Sequence, residues 1–410
     1  MSALIRHNRD YRLLLSASAL SNLGDGLAMV ALPWLATLLT RDPVLIAAVA
    51  TAQRLPWLLF ALPAGVWTDR ADRRRLMVRA DLVRVALMIL TLGMVLSQPA
   101  LVGDGNGAIL SLVAIAFLFG SAELVRDNAA QTILPALVAP ADLERANGQM
   151  WSAEQITGQF IGPPLAGLLI ASSVALPFGG NATAYALSAG LVWLIALPPR
   201  APSASARFWA ALREGLAWMW QNPAILRLAV MLGAINAVFT GGMTVLVLYA
   251  QESLGLSPTG YGLLLTFGAA GGVAGGLISP AIAARLGMRR SLLVALTGFV
   301  AAHLLLGLFA APGLAALALF TEAFTGMLWN VVTVSYRQRL IPDGLLGRVN
   351  SVYRFFGWGA MPFGAMGAGA LVAVATPALG REQALQLPYL VGAAVCAALV
   401  VYAWARLRFD

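Results

Sequence analysis

The sequence predicts an all-α membrane protein: twelve transmembrane helices in two pseudo-symmetric six-helix bundles around a central cavity. Three observations carry this. The chain has 410 residues, of which 60% are hydrophobic and only 11% charged, with a mean hydropathy of +0.79. A soluble domain carries about 25% charged residues. Apolar runs of about 20 residues, the length a hydrocarbon core requires, recur along the whole chain. A polar motif also repeats half a chain apart.

The spans fall near 12–39, 44–67, 76–97, 108–130, 148–172, 180–198, 224–250, 260–283, 290–311, 313–335, 349–374 and 388–405. The ninth and tenth meet in a very short turn at Pro312. The first run is too long for a cleavable signal peptide, and Asn22, Gly24, Asp25 and Gly26 interrupt it. Between the second and third spans lies Gly65-Val66-Trp67-Thr68-Asp69-Arg70-Ala71-Asp72-Arg73-Arg74-Arg75-Leu76. Such a segment cannot lie in lipid and reads as a tight basic turn at one membrane face.

Charge sets orientation. All 27 basic side chains are Arg. With the amino terminus inside, 24 of the 27 fall on or near the cytoplasmic side; Arg41 and Arg381 fall outside and Arg54 within a span. Arginine-rich short loops stay in the cytoplasm, so both termini are expected there. The net charge of +9 is then an address for the lipid bilayer. No basic patch interleaves with stacking aromatics, which excludes nucleic acid. One cysteine, Cys396, rules out a disulfide framework or thiol metal site. Two histidines, His7 on the tail and His303 packed in a helix, are too few for a metal or haem centre. No cofactor is expected, and no metal constellation, Ser-His pair or nucleotide loop points to an enzyme.

The repeat is Val138-Ala-Pro-Ala-Asp-Leu-Glu-Arg-Ala-Asn147 against Ile341-Pro-Asp-Gly-Leu-Leu-Gly-Arg-Val-Asn350. Each precedes a glycine-rich span. A weaker echo of the basic turn, Arg285-Leu-Gly-Met-Arg-Arg290, follows the eighth span. The expected domains are a first bundle at 1–198, a cytoplasmic amphipathic linker at 199–223 and a second bundle at 224–410. In the linker, Phe208, Trp209, Leu212, Leu216, Met219 and Trp220 recur at helical spacing. Pro223 separates it from the seventh span.

Small residues mark close helix approaches. The fifth span carries Gly158, Gly162, Pro163 and Pro164; the eighth carries Gly268, Gly272 and Gly276; the eleventh carries Ala360, Gly364, Gly367 and Gly369. Pro163 and Pro164 remove backbone donors and should bend the fifth helix.

Charges inside spans cost about 2.5–3.5 kcal/mol each on insertion scales, so they need a role or a partner. Counting rise along the helices puts Asp25 and Arg54 near mid-membrane on neighbouring spans, where they should reach one another. Asp25 either exchanges a proton or forms a static ion pair. Glu123 and Glu322 occupy corresponding helices of the two halves, and Asn236 and Asn330 add polar groups at similar depth. Glu154, Arg126 and Asp127 lie nearer the cytoplasmic ends, with Arg126 and Asp127 expected to pair with loop charges.

The pattern Gly65-x-x-x-Asp69-Arg70-x-x-Arg73-Arg74 resembles the loop between the second and third helices of the major facilitator superfamily, with Asp72 where Gly is usual. Arg9-Asp10-Tyr11-Arg12-Leu13, Leu20-Ser-Asn-Leu-Gly-Asp25, Leu32-Pro33-Trp34 and Gly347-Arg-Val-Asn-Ser-Val352 are similar to the branch containing the bacterial enterobactin exporter. Gly162-Pro163-x-x-Ala166-Gly167 partly matches the antiporter motif of the exporting branches. The resemblance implies a secondary transporter working by alternating access in a bacterial inner membrane. It further implies a proton-coupled exporter of a siderophore, drug or other amphipathic small molecule, with a monomer as the expected state. It makes the basic loop a latch on the cytoplasmic side; holding topology alone is the other reading of those arginines. An importer or lysophospholipid flippase of the same fold, or a non-transporting receptor or assembly protein, are the alternatives.

Overall fold

The computed structural model describes residues 3–97, 106–196 and 208–407. Within helices, the side chains of 3, 5, 61–70, 106, 208–212, 343 and 344 lie outside this description. The described chain is helical throughout. After a short turn at Ala3–His7 come α1 (Arg9–Leu39), α2 (Pro43–Arg70), α3 (Arg73–Ser97), α4 (Asn106–Ile133), α5 (Leu143–Glu154), a π-helical segment (Gln155–Ile161), α6 (Gly162–Ser172) and α7 (Leu176–Trp193). Then follow α8 (Phe208–Gln221), α9 (Pro223–Glu252), α10 (Pro258–Leu308), α11 (Pro312–Leu340), α12 (Asp343–Gly359), α13 (Met361–Leu379) and α14 (Arg381–Arg406).

Nine helical stretches of the described chain, α12 and α13 counted together, are long and apolar enough to cross a membrane. One of them, α10, is two spans joined at Gly287, whose φ of 71° needs a residue without a Cβ. The interrupted run α5–π–α6 and the 18-residue α7 complete the twelve. Side chains such as Leu90, Leu277, Val374 and Trp404 stand exposed along these helices, as a lipid-facing surface requires.

The fifth span is not one bent helix. Pro163 and Pro164 supply no N–H to the carbonyls four residues back. The turn before them widens, and Gly162 N–H bonds to Thr157 O, five residues back. The glycines here permit backbone-to-backbone contact with α1. A Cβ on Gly162 would sit 2.6 Å from Gly26 Cα, and one on Gly158 would sit 3.2 Å from Asn22 O.

The eighth-span glycines need correcting. A Cβ on Gly272 meets nothing, one on Gly268 makes ordinary contact with Leu319, and one on Gly276 touches only the tip of Met327. The close approach falls instead on Gly271 and Gly275, which abut Phe320 and Phe324 of α11. Two glycine rows interleave on this helix, and spacing alone does not say which row meets a neighbour.

The helices gather into two compact units. The first comprises Met1–Arg41, Ala52–Ser205 and Ser257–Leu263; the second comprises Asp42–Thr51, Ala206–Leu256 and Leu264–Asp410. In the first, Tyr11, Leu14, Met77, Ala129, Ile133 and Val192 form a core cluster. Asn8 starts α1, accepting from Tyr11 N–H at 2.9 Å while its amide donates to Leu137 O at 2.6 Å. In the second unit, Leu228, Leu296, Phe299, Trp329, Tyr353 and Cys396 belong to one core cluster. There α8 ends at Gln221 and α9 begins at Pro223, with Glu214 of α8 paired to Arg348 of α12.

Candidate functional site

The densest group of charges in the first unit is built on Arg84 of α3. Its side chain is 0% exposed, yet it is a full cation in an apolar bundle. Charge at that depth requires partners, and four helices supply them. Nη1 donates to Asp25 Oδ1 of α1 at 2.8 Å. Nη2 donates to Asp81 Oδ1, one turn earlier on α3, at 2.6 Å and to Ser21 Oγ at 2.5 Å. From α7, the Tyr185 hydroxyl donates to Asp25 Oδ1 at 2.9 Å and the Ser188 hydroxyl to Asp81 Oδ2 at 2.7 Å. The guanidinium lies 4.1 Å from the Tyr185 ring centroid and 5.8 Å from that of Phe119 on α4. Gly24 makes the α1–α7 approach possible: a Cβ there would sit 2.6 Å from Tyr185 Cε1.

Arg126 of α4 extends the network. Its Nε lies 3.8 Å from Asp81 Oδ1, its Nη1 lies 3.8 Å from Asp127 Oδ1, and its Nη2 donates to Ser18 Oγ at 3.3 Å. Its partners are therefore within the bundle rather than charges of the basic loop. Asp81 and Arg84 are fully buried, whereas the Asp25 and Asp127 side chains keep 24% and 34% exposure. The accessible edge of the cluster is thus carboxylate, backed by dry arginines.

Asp25 and Arg54 do not pair. Helix rise fixes depth but not the direction a side chain takes around the axis, and Asp25 turns to α3 and α7. Arg54 instead lies in the field of Glu123. Gly120 brings α4 onto α2 at Gln53, where a Cβ would overlap that residue's backbone. Glu123 Oε2 is buried without a hydrogen-bond partner, and among the described residues Arg54 forms no ion pair. Neither Asp81 nor Arg84 was singled out by sequence. Their signal is an acid and a base three residues apart inside an apolar run.

Of the basic-loop residues, the side chains of Gly65, Asp69 and Arg70 lie outside the described residues. Arg73 donates to Thr132 O at 2.6 Å, at the end of α4. Arg74 donates to Ile195 O at 3.0 Å, just past α7, and lies 5.2 Å from the Trp193 ring centroid. Both satisfy carbonyls at helix C-termini, where a cation is favoured. Asp72 accepts from Arg75 N–H at 3.1 Å and opens α3.

In the second unit, Glu322 of α11 is 6% exposed, and its Oε1 lies 3.6 Å from His303 Nε2 of α10. His303 is packed, but against a carboxylate. Asn236 is committed structurally, its amide donating to Gly357 O at 3.0 Å. Asn330 is exposed. Among the described residues no group of His, Cys, Asp and Glu could hold a metal.

Comparison with known proteins gives this geometry a setting. The chain is 29% identical, over a 425-residue alignment covering 97% of it and 93% of the relative, to the multidrug efflux pump Tap of Mycobacterium bovis BCG. It is 28% identical over 381 residues, 88% of each chain, to the pump of that name from Mycolicibacterium fortuitum. The fold matches a mutant of the nucleoside transporter NupG at TM-score 0.77 and 14% identity, covering 97% of this chain and 100% of the other. It matches an inward-facing bacterial homologue of the iron transporter ferroportin at TM-score 0.75 and 17% identity, covering 98% and 100%. Residues 14–365 match the Major Facilitator Superfamily, and the chain belongs to this superfamily of secondary transporters.

Proposed function

We propose that the protein is a proton-coupled exporter of amphipathic small molecules, working by alternating access in a bacterial plasma membrane with both termini in the cytoplasm. The carrying observation is the charge balance of the Arg84 cluster. Asp25, Asp81, Glu123 and Asp127 oppose Arg54, Arg84 and Arg126. The surplus acid takes up either a proton or a cationic substrate, because a lone charge at that depth is not tolerated. Asp25 is the suited carrier: it is partly exposed and directly bonded to both Arg84 and Tyr185. Protonating it leaves Asp81 as the one carboxylate bonded to Arg84 and loosens the tie between α1, α3 and α7. The efflux activity named for the mycobacterial relatives supports the outward direction.

The moving bodies in this reading are residues 1–198 and 224–410, joined by the segment 199–223, and the loop from Gly65 to Arg74 secures the cytoplasmic face. A proton entering gains about 2.3 kcal/mol per 100 mV of potential, enough for more than a tenfold concentration ratio at about 1.4 kcal/mol per decade. The test uses inside-out vesicles and a fluorescent lipophilic cation. Acidifying the lumen should drive dye inward, an uncoupler should abolish the uptake, and Asp25→Asn should lose it while retaining insertion. Uptake indifferent to the uncoupler would refute proton coupling, and efflux from acidified vesicles would make the protein an importer.

A further inference from the structure

We propose that His303 and Glu322 form a second proton-binding site, with one exchangeable proton held between imidazole Nε2 and carboxyl Oε1. The inference goes beyond the Asp25 reading and does not rest on it. Both side chains are nearly sealed, at 3% and 7% exposure, and the two atoms lie 3.6 Å apart. The other ring nitrogen decides the chemistry. Nδ1 lies 2.9 Å from Phe299 O. A carbonyl oxygen only accepts, so Nδ1 carries the hydrogen.

In a neutral ring Nε2 then carries a bare lone pair, 3.6 Å from the carboxyl oxygen. Two bare acceptors repel, so the contact is satisfied when one proton lies between them. That proton resides on Glu322 or on His303; at 3.6 Å the two atoms stand just beyond hydrogen-bond distance, so loading draws them together. The loaded pair is neutral in either form, and the unloaded pair carries one negative charge.

The neighbours supply no fixed counter-charge. Tyr389 of α14 stands with its ring 6.5 Å from the imidazole, and its hydroxyl donates to Gly242 O at 3.0 Å. Cys396 of α14 lies in the field of Glu322. On α11 itself, Thr325 donates to Thr321 O at 2.8 Å. Among the described residues no arginine forms an ion pair with Glu322. Space for the ring is provided by Gly392, where a Cβ would stand 3.0 Å from His303 Nε2. Asp25 is held by a permanent cation. Glu322 faces an imidazole, which is not a permanent cation.

The chain has two histidines, so His7→Gln leaves His303 as the only imidazole. Nitrogen NMR of full-length, histidine-labelled His7→Gln protein in nanodiscs reads its tautomer and titration between about pH 5 and pH 8. The expected result is a single titration with Nδ1 protonated throughout. Its midpoint should move by about one pH unit or more in Glu322→Gln and stay in place in Asp25→Asn. If Glu322→Gln does not fold, Glu322→Asp, which retracts the carboxyl by one methylene, should also move the midpoint. An unchanged midpoint, a bare Nδ1, or no titration in this range would overturn the site. A shift caused by Asp25→Asn would overturn its independence.

Discussion

Arg84 shows how a buried cation is made tolerable. Its terminal nitrogens reach two carboxylates and a hydroxyl, and two aromatic rings flank its plane. A guanidinium does this because its donors form a rigid fork; an ammonium does not. Arg84→Met should therefore cost about 3–5 kcal/mol by taking from Asp25 and Asp81 the cation they share. Arg84→Lys should recover little of it. Thermal unfolding of the purified protein in detergent would measure both. Asp25→Asn should cost less, since Asp25 is partly exposed and Asp81 keeps its hold on Arg84, yet it should abolish proton-driven transport. That split between stability and transport separates the two acids. Counting rise gives an expected depth for Asp25 and Arg54. Partnership was not readable in the sequence, because azimuth depends on which neighbour arrives at the same level. For Asp25 that neighbour is α3, and for Arg54 it is α4, admitted by Gly120.

At the scale of elements, the helices are held by a few positions where a methyl group has no room. Gly271→Ala and Gly275→Ala should each cost about 1–3 kcal/mol by overpacking against Phe320 and Phe324. Gly272→Ala, which meets open space, should be neutral or slightly stabilising, and unfolding midpoints of the three variants would distinguish the rows. The sequence showed that a glycine face exists and not which of two adjacent rows it is. Pro163 and Pro164 were legible as an interruption; the wide turn preceding them was not, because no residue type announces five-residue hydrogen bonding. The loop arginines show the reverse. Their sidedness is an expectation from composition alone, while the capping of α4 and α7 by Arg73 and Arg74 needed coordinates.

For the whole molecule, hydropathy gave the twelve spans because lipid leaves helical backbones no alternative. The short turn before Pro312 lies where it was expected, between Leu308 and Pro312. Orientation makes a prediction at this scale. Alkaline phosphatase fused after Asp410 should be inactive, and the same reporter inserted after Arg41 should be active; the opposite pattern would reverse the topology. A weaker prediction concerns α8. Glu214 and Arg348 are both well exposed, so a double-mutant cycle on unfolding should return only about 0.2–1 kcal/mol.

The placement of Asp81 beside Arg84 on one helix also bears on biosynthesis. A chain emerges from its amino terminus, so α1 reaches the bilayer with Asp25 uncompensated, whereas Asp81 and Arg84 enter on one helix as a balanced pair. Delivery of α3 is then what completes the earlier helix. A nascent chain truncated before residue 73 should be retained by the insertion machinery or degraded, and one extended past α3 should be released into lipid.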